Sequence, residues 1–371
     1  MKHLVPAALL LSACATPLDP ASLDPAAIHA RTLTLDTHVD IPLDYITAID
    51  PGTRTELQAD LPKMFEGGLD AAFFIVYTPQ TELSEAGYRE AREIAETRFA
   101  AIDRLVNDYP NRIALARTAD DVERIVASGR RAALIGMENA YPLGPSTASV
   151  PVWARRGVRY VGLTHFGANQ FGDSSGTKDY ETDAALTTHG GLSALGRELI
   201  TALNDNGIMV DISHAGDATA RQAIALSRTP VIASHSGVDG VLKHPRNLSD
   251  DLLDALRDTG GVVQLVALDA YVKFQDPDHP DGTFSASVAD YVDHIDYAVQ
   301  RIGIDHVGIA SDFDGGGGLL GWEDASATPA VTAELLTRGY SESDIAKIWG
   351  GNLLRVMRVV EADARLHQRR E

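Results

Sequence analysis

The sequence predicts an α/β protein folded as a single (β/α)8 barrel of the TIM type. Two observations support this prediction. Short apolar runs typical of buried strands recur along the chain, and longer stretches with helical periodicity separate them. Strands that are apolar on both faces are typical of a parallel sheet covered by helices. Eight such units within 371 residues favour a closed barrel in one domain.

The predicted strands, in chain order, are Leu33–Asp36, Ala71–Tyr77, Ala132–Met137, Tyr160–Thr164, Ile208–Ile212, Val231–Ala233, Val262–Ala267 and Val307–Ala310. Amphipathic stretches between them predict helices, clearest at Gly87–Val106, Leu192–Asn206 and Asp217–Ser227. No shift in composition marks a second domain, so we assign residues 29–365 to one barrel domain.

The N-terminus has the parts of a bacterial export signal. Lys2 and His3 give a basic start, and Leu4–Leu11 is an apolar stretch too short to span a bilayer. The tetrapeptide Leu-Ser-Ala-Cys that ends at Cys14 resembles the lipobox, after which the cysteine is lipidated. We predict a signal peptide over residues 1–13 and a lipid on Cys14. The alternative is an ordinary signal peptide with a chance cysteine.

The residues after Cys14 extend this prediction. Residues 14–28 are rich in proline and predict a tether. Ala15 follows the cysteine, which resembles sorting to the outer membrane of a Gram-negative cell, so we expect the protein on the periplasmic face. Cys14 is the only cysteine and excludes a disulfide within the chain. The net charge of −20 disfavours nucleic acid as a partner.

Metal-ligating and acidic residues follow the predicted strands where each strand ends. The C-terminal ends of all strands open on one face of a barrel, so we expect these residues to meet there. They are Asp36–Asp40, Glu138, His165, His214, His235 and Asp312–Asp314.

The residue types at these strand ends predict a metal site. His38 and Asp40 lie two residues apart, and imidazole with carboxylate is a common Zn²⁺ ligand set. A single histidine such as His214 is more often a hydrogen-bonded core residue, but His214 and His235 together favour ligation. Glu138 ends an apolar strand, where a carboxylate must be paired or metal-bound. It is a candidate bridge between two cations, and a salt bridge to an arginine is the alternative.

The segment Ser-Asp-Phe-Asp-Gly supplies two candidates for proton transfer. Asp312 and Asp314 both follow the last predicted strand, and the residues alone do not separate them. The glycine run 315–318 lacks the Lys-Ser/Thr of a phosphate-binding loop and predicts a flexible loop.

Eight sequence blocks occur in order between about residues 30 and 360. They are Asp-Thr-His-Val-Asp-Ile-Pro, Gly-Met-Glu-Asn, Tyr-Val-Gly-Leu-Thr-His-Phe-Gly-Ala-Asn, Val-Asp-Ile-Ser-His, Thr-Pro-Val-Ile-Ala-Ser-His-Ser, His-Pro-Arg-Asn-Leu-Ser-Asp-Asp, His-Val-Gly-Ile-Ala-Ser-Asp-Phe-Asp-Gly and Gly-Gly-Asn-Leu-Leu-Arg-Val. In this order they resemble the membrane (renal) dipeptidase family, peptidase family M19.

The resemblance implies a distorted (β/α)8 barrel that binds two Zn²⁺ ions per chain. In the family pattern His38 and Asp40 would hold one ion, and His214 and His235 would hold the other. Glu138 would bridge the two ions.

The resemblance also implies roles for three further residues. His165 would bind the scissile carbonyl or its oxyanion, and Arg246 would pair with the terminal carboxylate of the substrate. Asp312 would carry the proton. These roles suit the residue types, since arginine can bind a carboxylate through two hydrogen bonds.

The activity implied is hydrolysis of dipeptides, both L-L and those with a C-terminal D-residue. The alternatives are another binuclear metal amidohydrolase, acting on N-acyl amino acids, lactones or β-lactams, and an envelope lipoprotein whose barrel is not catalytic. Relatives are often homodimers, so a homodimer is implied by analogy. The stretch Gln264–Tyr271 is more apolar than the family pattern, which leaves the substrate preference and the role of Tyr271 open.

Overall fold

The computed structural model describes residues 24–45, 47–176, 187–274 and 284–369. The predicted export signal and Cys14 lie outside these residues. Helix α1 (Pro25–His29) begins after Asp24, whose side chain accepts a hydrogen bond from the backbone of Ala26. Ile28 is fully buried, and α1 packs against a helix near the C-terminus. The tether predicted to reach residue 28 is therefore shorter, because its last residues contribute to the core.

The centre of the fold is a nearly closed barrel of parallel strands. Along the ring the order is β1-β2-β4-β5-β6-β7-β8-β9, and β3 pairs with β4 off this path. The bounds are β1 (Leu35–Val39), β2 (Ala71–Tyr77), β3 (Ile113–Leu115), β4 (Arg131–Glu138), β5 (Val158–Gly162), β6 (Met209–Asp211), β7 (Ile232–Ser236), β8 (Val262–Val266) and β9 (Val307–Ala310). The predicted (β/α)8 fold is confirmed, and each predicted strand corresponds to a strand of the ring.

Two details of the strands differ from the prediction. Strand β3 was not predicted. It pairs with Arg131–Ala133 of β4, whereas the pairing of β4 with β5 starts further along, at Ile135 of β4. It therefore covers an edge of β4 that the ring leaves open. Strands β1 and β7 also extend past the apolar runs and include His38 and His235, because the backbone continues to pair after the side chains become polar.

The ring closes between β1 and β9 at the ends that carry the predicted site. The amide of Asp40 donates to the carbonyl of Phe313 at 2.8 Å, and the amide of Asp312 donates to that of His38 at 3.1 Å. These bonds bring Asp312 to His38 and Asp40, although more than 270 residues separate it from both in the sequence.

Helices surround the strands. Their bounds are α2 (Leu61–Glu66), α3 (Glu85–Asp108), α4 (Ala119–Ala127), α5 (Val150–Arg156), α6 (Ala194–Asp205), α7 (Asp217–Leu226), α8 (Asp250–Asp258), α9 (Asp269–Val272), α10 (Val288–Ile302), α11 (Pro329–Thr337), α12 (Glu342–Ala346) and α13 (Asn352–Gln368). The three helices predicted by periodicity correspond to α3, α6 and α7. Among the described residues, no helix has the length and apolarity needed to cross a bilayer.

Alternating residues along the strands pack into two separate cores. Leu35, Phe73 and Tyr160 belong to one cluster with Leu353 and Met357 of α13. The strand residues that alternate with these belong to a larger cluster, which includes apolar side chains of the surrounding helices. This alternation fixes which side chains face each core and leaves the C-terminal strand ends to form a polar mouth.

Candidate active site

The predicted site residues meet in a cavity of about 310 Å³ at the mouth of the barrel. Its walls include Asp40, Glu138, His165, His214, His235 and Asp312. His38 lies directly behind this wall and is fully buried. All five predicted metal ligands are therefore brought together at one place.

His38 faces three carboxylates. Its Nε2 atom lies 3.3 Å from Asp40 Oδ2, 3.6 Å from Glu138 Oε2 and 3.7 Å from Asp312 Oδ1. Burial by itself would lower the pKa of His38, but Glu138 and Asp40 raise it well above its usual value. A positive charge is thus favoured between these acids, whether it is a proton or a bound cation.

The two oxygens of Glu138 face different donors. Oε2 is directed to His38, whereas Oε1 lies 3.1 Å from His214 Nε2 and 3.3 Å from His235 Nε2. The two histidine Nε2 atoms are 3.0 Å apart. Glu138 therefore stands between two groups of donor atoms with one oxygen toward each.

Protonation states at Glu138 suit a ligand set. Burial would raise the pKa of Glu138, but His38 and His165 hold it well below its usual value, so the carboxylate is charged. Burial lowers the pKa of His214 and of His235 well below the ordinary range. Neutral imidazoles and an ionised carboxylate are the forms that bind metal ions.

The spacing of these atoms fits shared cations. Donors bound to one tetrahedral Zn²⁺ at about 2.1 Å are roughly 3.4 Å from one another. The distances of His38 Nε2 from Asp40 and Glu138, and those among Glu138 Oε1 and the Nε2 atoms of His214 and His235, lie between 3.0 and 3.6 Å. His38 Nε2 is buried without a hydrogen bond from the described residues, as expected of an atom reserved for a ligand.

A second layer of hydrogen bonds orients two of the histidines, His38 and His235. His38 Nδ1 lies 3.0 Å from the hydroxyl of Tyr160, which donates to the carbonyl of Thr37 at 3.1 Å. Asp36 accepts the backbone amide of His38 at 3.0 Å. Together these contacts place the proton of His38 on Nδ1 and leave Nε2 for the site.

His235 is held in the same manner. Its Nδ1 atom lies 2.9 Å from the hydroxyl of Ser234, and this hydroxyl donates to Asp211 at 2.7 Å. Asp211 also accepts the amides of Ser213 and Ser234. The chain from imidazole to serine to carboxylate directs His235 Nε2 toward Glu138. Sequence reasoning missed these supporting residues, because polar residues in strands have many other uses.

His165 lies beside the predicted metal ligands. Its Nε2 atom is 3.8 Å from Glu138 Oε1, and its ring packs against Tyr77 and His214 with centroid distances of 4.8 and 4.2 Å. Burial lowers its pKa, so the ring is neutral and retains one N–H for a hydrogen bond. Strand β5 ends at Gly162, three residues before His165, so His165 lies on the loop that follows this strand.

Arg246 is buried against the end of β7. Its guanidinium donates to the carbonyl of His235 at 3.0 Å and lies over the ring of Tyr271 at 5.4 Å. Tyr271 packs in turn on His244 at 4.6 Å and forms part of the cavity wall. The structure thus places Tyr271 beside the predicted carboxylate-binding arginine.

The structure separates the two aspartates that the sequence left open. Asp314 accepts the backbone amides of Gln58 and Ala59 at 2.8 and 3.1 Å, so both of its oxygens hold a loop. Asp312 faces His38 in the donor cluster instead. Burial raises the pKa of Asp312 to about 8, which lets it hold a proton near neutral pH.

Backbone strain marks the same region. Among the described residues, the non-glycine positions with positive φ are Asn139, His214, Asp312 and Asp314. His214 and Asp312 are site residues, and Asn139 directly follows Glu138. Such conformations cost about 1–3 kcal/mol each and persist at functional sites that the surrounding structure holds in place.

The glycine run is a packed turn and not the flexible loop predicted from its composition. The amides of Gly315 and Gly317 donate to the carbonyl of Asp312, and the amide of Gly318 donates to that of Ala267. A side chain at Gly315 would overlap the carboxylates of Asp40 and Asp312. Glycine is needed here because the backbone approaches the site residues too closely for a Cβ atom.

Comparison with known proteins agrees with this geometry. The family model of the membrane dipeptidases, peptidase family M19, matches residues 24–371. The chain belongs to the membrane dipeptidase family. A dipeptidase of Aspergillus oryzae, aclJ, is 36% identical over 315 residues, which cover 83% of this chain and 71% of the relative. Dipeptidase verJ of Clonostachys rogersoniana is 35% identical over 344 residues, or 88% and 84% of the two chains.

Solved structures give the same result. The probable dipeptidase PvdM of Pseudomonas aeruginosa superposes with a TM-score of 0.85 at 34% identity, over 92% of this chain and 98% of that one. A metallopeptidase of Rhodobacter sphaeroides, solved with a phosphinate mimic of L-Ala-D-Ala, gives a TM-score of 0.77 at 26% identity, over 89% and 99%. Membership of this metallopeptidase family and the His/Glu cluster support a metal-dependent dipeptidase.

Proposed function

We propose that this protein is a zinc dipeptidase with two Zn²⁺ ions per chain, bridged by Glu138. The observation that carries the proposal is the placement of Glu138, whose two carboxylate oxygens face different donor groups. His38 and Asp40 would hold one ion with Oε2, and His214 and His235 would hold the other with Oε1. When bound, such a pair of ions lowers the pKa of a water so that a nucleophile is present near neutral pH.

Two residues of the mouth, His165 and Asp312, stabilise the developing negative charge and transfer the proton. His165 donates its remaining N–H to the carbonyl oxygen as negative charge develops there. Asp312 accepts the proton released by the attacking water and passes it to the nitrogen as the peptide C–N bond breaks. A cation beside Asp312 would bring its pKa down from about 8, so that the carboxylate is ready to accept this proton.

Arg246 limits the length of the substrate. Its contact with the carbonyl of His235 fixes the guanidinium at one distance from the metal ligands. A carboxylate one residue beyond the cut reaches this arginine, whereas a longer peptide has no terminal carboxylate at that place. Since the Rhodobacter sphaeroides relative was solved with a mimic of L-Ala-D-Ala, we extend the proposal to L-L and L-D dipeptides.

The test is hydrolysis of a dipeptide library by the purified protein before and after treatment with a chelator. The proposal expects hydrolysis of L-L and L-D dipeptides, its loss on chelation, its return with Zn²⁺ and near two zinc ions per chain. Faster hydrolysis of N-acyl amino acids, lactones or β-lactams would replace the dipeptidase with another amidohydrolase. Zinc-free protein without hydrolase activity would favour a binding role.

The predicted location is part of the proposal. We propose export to the periplasmic face, a lipid on Cys14 as the attachment to the membrane, and assembly as a homodimer. Metabolic labelling with a radioactive fatty acid tests the lipid: the wild-type chain should be labelled, and Cys14→Ser should not. An unlabelled wild-type chain would leave an ordinary signal peptide. Light scattering of the purified protein tests the dimer.

A further inference from the structure

A second buried arginine, Arg98, forms part of the wall of the cavity. It comes from α3, outside the barrel, and only 12% of its side chain is exposed. Its guanidinium lies over the ring of Tyr77 at 5.3 Å and donates to the carbonyl of Ile41. The cavity wall therefore carries the positive charge of Arg98, whereas the other ionised side chains of the wall are carboxylates.

Among the described residues, no counter-ion lies within hydrogen-bond distance of Arg98. The nearest carboxylate oxygen is Oδ1 of Asp40 at 3.9 Å, beyond hydrogen-bond distance, and Asp40 also faces His38. Among the described residues, Nε of Arg98 is buried without a hydrogen-bond partner. In the part of the chain that the structure describes, the guanidinium donates to the carbonyl of Ile41 and lies within hydrogen-bond distance of no carboxylate, although it could donate five hydrogen bonds.

Arg131 shows how a structural arginine of equal burial is paired with a carboxylate. Its side chain is 11% exposed, but its Nη1 lies 2.7 Å from Asp70, and its guanidinium packs on Phe65 at 4.2 Å. Arg131 begins β4 and is therefore at the other end of the strands from the mouth. Nε is buried without a hydrogen-bond partner among the described residues in both arginines. They differ in the distance to a carboxylate, which is 2.7 Å for Arg131 and 3.9 Å for Arg98 in the cavity wall.

The two arginines of the mouth come from opposite sides of the ring. Arg98 stands over Tyr77 at the end of β2, whereas Arg246 contacts the end of β7. In the order β1-β2-β4-β5-β6-β7-β8-β9, four steps separate β2 from β7 in either direction. His165, whose ring packs on Tyr77, lies between them. A dipeptide with its carboxylate at Arg246 and its scissile carbonyl at His165 points its N-terminal residue toward Arg98.

We propose that Arg98 is a specificity-determining residue that binds an anionic side chain on the N-terminal residue of the substrate. The substrate class is dipeptides that begin with glutamate or aspartate. An acidic side chain would supply the counter-ion that Arg98 lacks and would lie along the ring of Tyr77. The inference rests on the proposed dipeptidase function, because it needs the substrate orientation set by Arg246.

The test compares L-Glu-L-Ala with L-Gln-L-Ala, which have the same shape and differ in charge. The zinc-loaded wild-type enzyme should show a ratio of kcat/KM, acid over amide, of roughly tenfold or more, as expected for a charged hydrogen bond. In Arg98→Met, which keeps the apolar stem, the ratio should fall to near one. Arg131→Met is the matched control and should keep the wild-type ratio.

The outcomes separate the two proposals. A wild-type ratio of one or less, with L-Ala-L-Ala and L-Gln-L-Ala both cleaved, would overturn the role of Arg98 and leave the dipeptidase intact. An equal loss on both substrates in Arg98→Met, with the ratio unchanged, would make Arg98 only a support for Asp40. Failure of the zinc-loaded wild-type enzyme to cleave any of the three dipeptides would overturn the proposed function and this inference with it.

Discussion

Buried histidines in two parts of the molecule differ in what their nitrogens contact. His29 and His294, here called the core histidines, have both ring nitrogens bonded to the protein. His29 contacts the hydroxyl of Thr332 at 2.7 Å and the carbonyl of Gly67 at 2.9 Å. His294 accepts the amide of Val238 at 3.2 Å and lies 3.0 Å from the carbonyl of Val272.

The mouth histidines, His38, His214 and His235, are equally buried but bonded differently. Their Nε2 atoms face only carboxylates and one another. The comparison teaches that burial alone does not identify a ligand. A histidine satisfied at both nitrogens stabilises the fold, whereas one that directs Nε2 at a shared carboxylate, as all three mouth histidines do at Glu138, is placed to bind a cation.

Removing the bridging carboxylate should have the largest effect. Glu138→Gln keeps the shape of the side chain but loses the charge that faces both donor groups. We expect kcat/KM for a dipeptide to fall roughly 10³-fold or more, since catalytic metals supply several kcal/mol of transition-state stabilisation. Steady-state kinetics with zinc analysis of the same sample measures this loss. Activity within tenfold of wild type would place the metal site elsewhere.

Zinc should stabilise the protein through the mouth histidines and not through the core histidines. At free zinc about 1,000 times Kd, an ion bound at His214 and His235 would add roughly 4 kcal/mol to the free energy of unfolding. Denaturant titration with zinc and with chelator measures this difference. His235→Leu should lose most of it, and His29→Leu should keep it. The same zinc effect in both variants would contradict the distinction between the two classes.

Replacing a core histidine should lower the stability of the protein and leave its activity nearly unchanged. His29→Leu removes the side-chain partner of the Gly67 carbonyl and one of the two partners of the Thr332 hydroxyl, which keeps the bond from Trp349 Nε1, at a cost of about 1–3 kcal/mol. Activity should stay within about twofold, since His29 is remote from the mouth. Combining His29→Leu with Thr332→Val should lower the stability further, because the buried Trp349 Nε1, which donates to the Thr332 hydroxyl at 2.9 Å, then loses its acceptor. Urea titrations of the wild type and both variants test this order.

The smallest expected effect is on the pH dependence of stability. Burial lowers the pKa of His29 and of His294 below 6.5, the value expected in the unfolded chain. Above pH 6.5 these rings are neutral in both states; as the pH falls, the unfolded chain binds protons first and stability is lost. Each ring contributes at most about 1.4 kcal/mol per pH unit. Below pH 6.5, zinc-free His29→Leu should show a shallower loss than wild type.

The positions of the site residues in the sequence were sufficient to predict that they meet. His38, Glu138, His214 and His235 lie in or just after apolar strands, and a parallel barrel brings all such ends to one face. The fold followed from the same runs. The short strand β3 was missed because a run of three residues beside a helix has no distinct pattern.

Tertiary contacts decided what the sequence left open. Asp312 and Asp314 are alike in sequence, and only the contact of Asp314 with Gln58, 256 residues away, shows which one is occupied by a loop. Arg98 lies in a charged helix of 24 residues, where an arginine has the pattern of a surface residue. Its place in the cavity wall depends on how α3 packs on the barrel.

The central claim is that Glu138 stands between two cations, and anomalous X-ray scattering at the zinc edge tests it most directly. Crystals of the zinc-loaded protein should show two peaks, one between Glu138 Oε2, His38 and Asp40 and one between Oε1, His214 and His235. Peaks remote from Glu138, or zinc-loaded crystals without a peak at the mouth, would contradict the account.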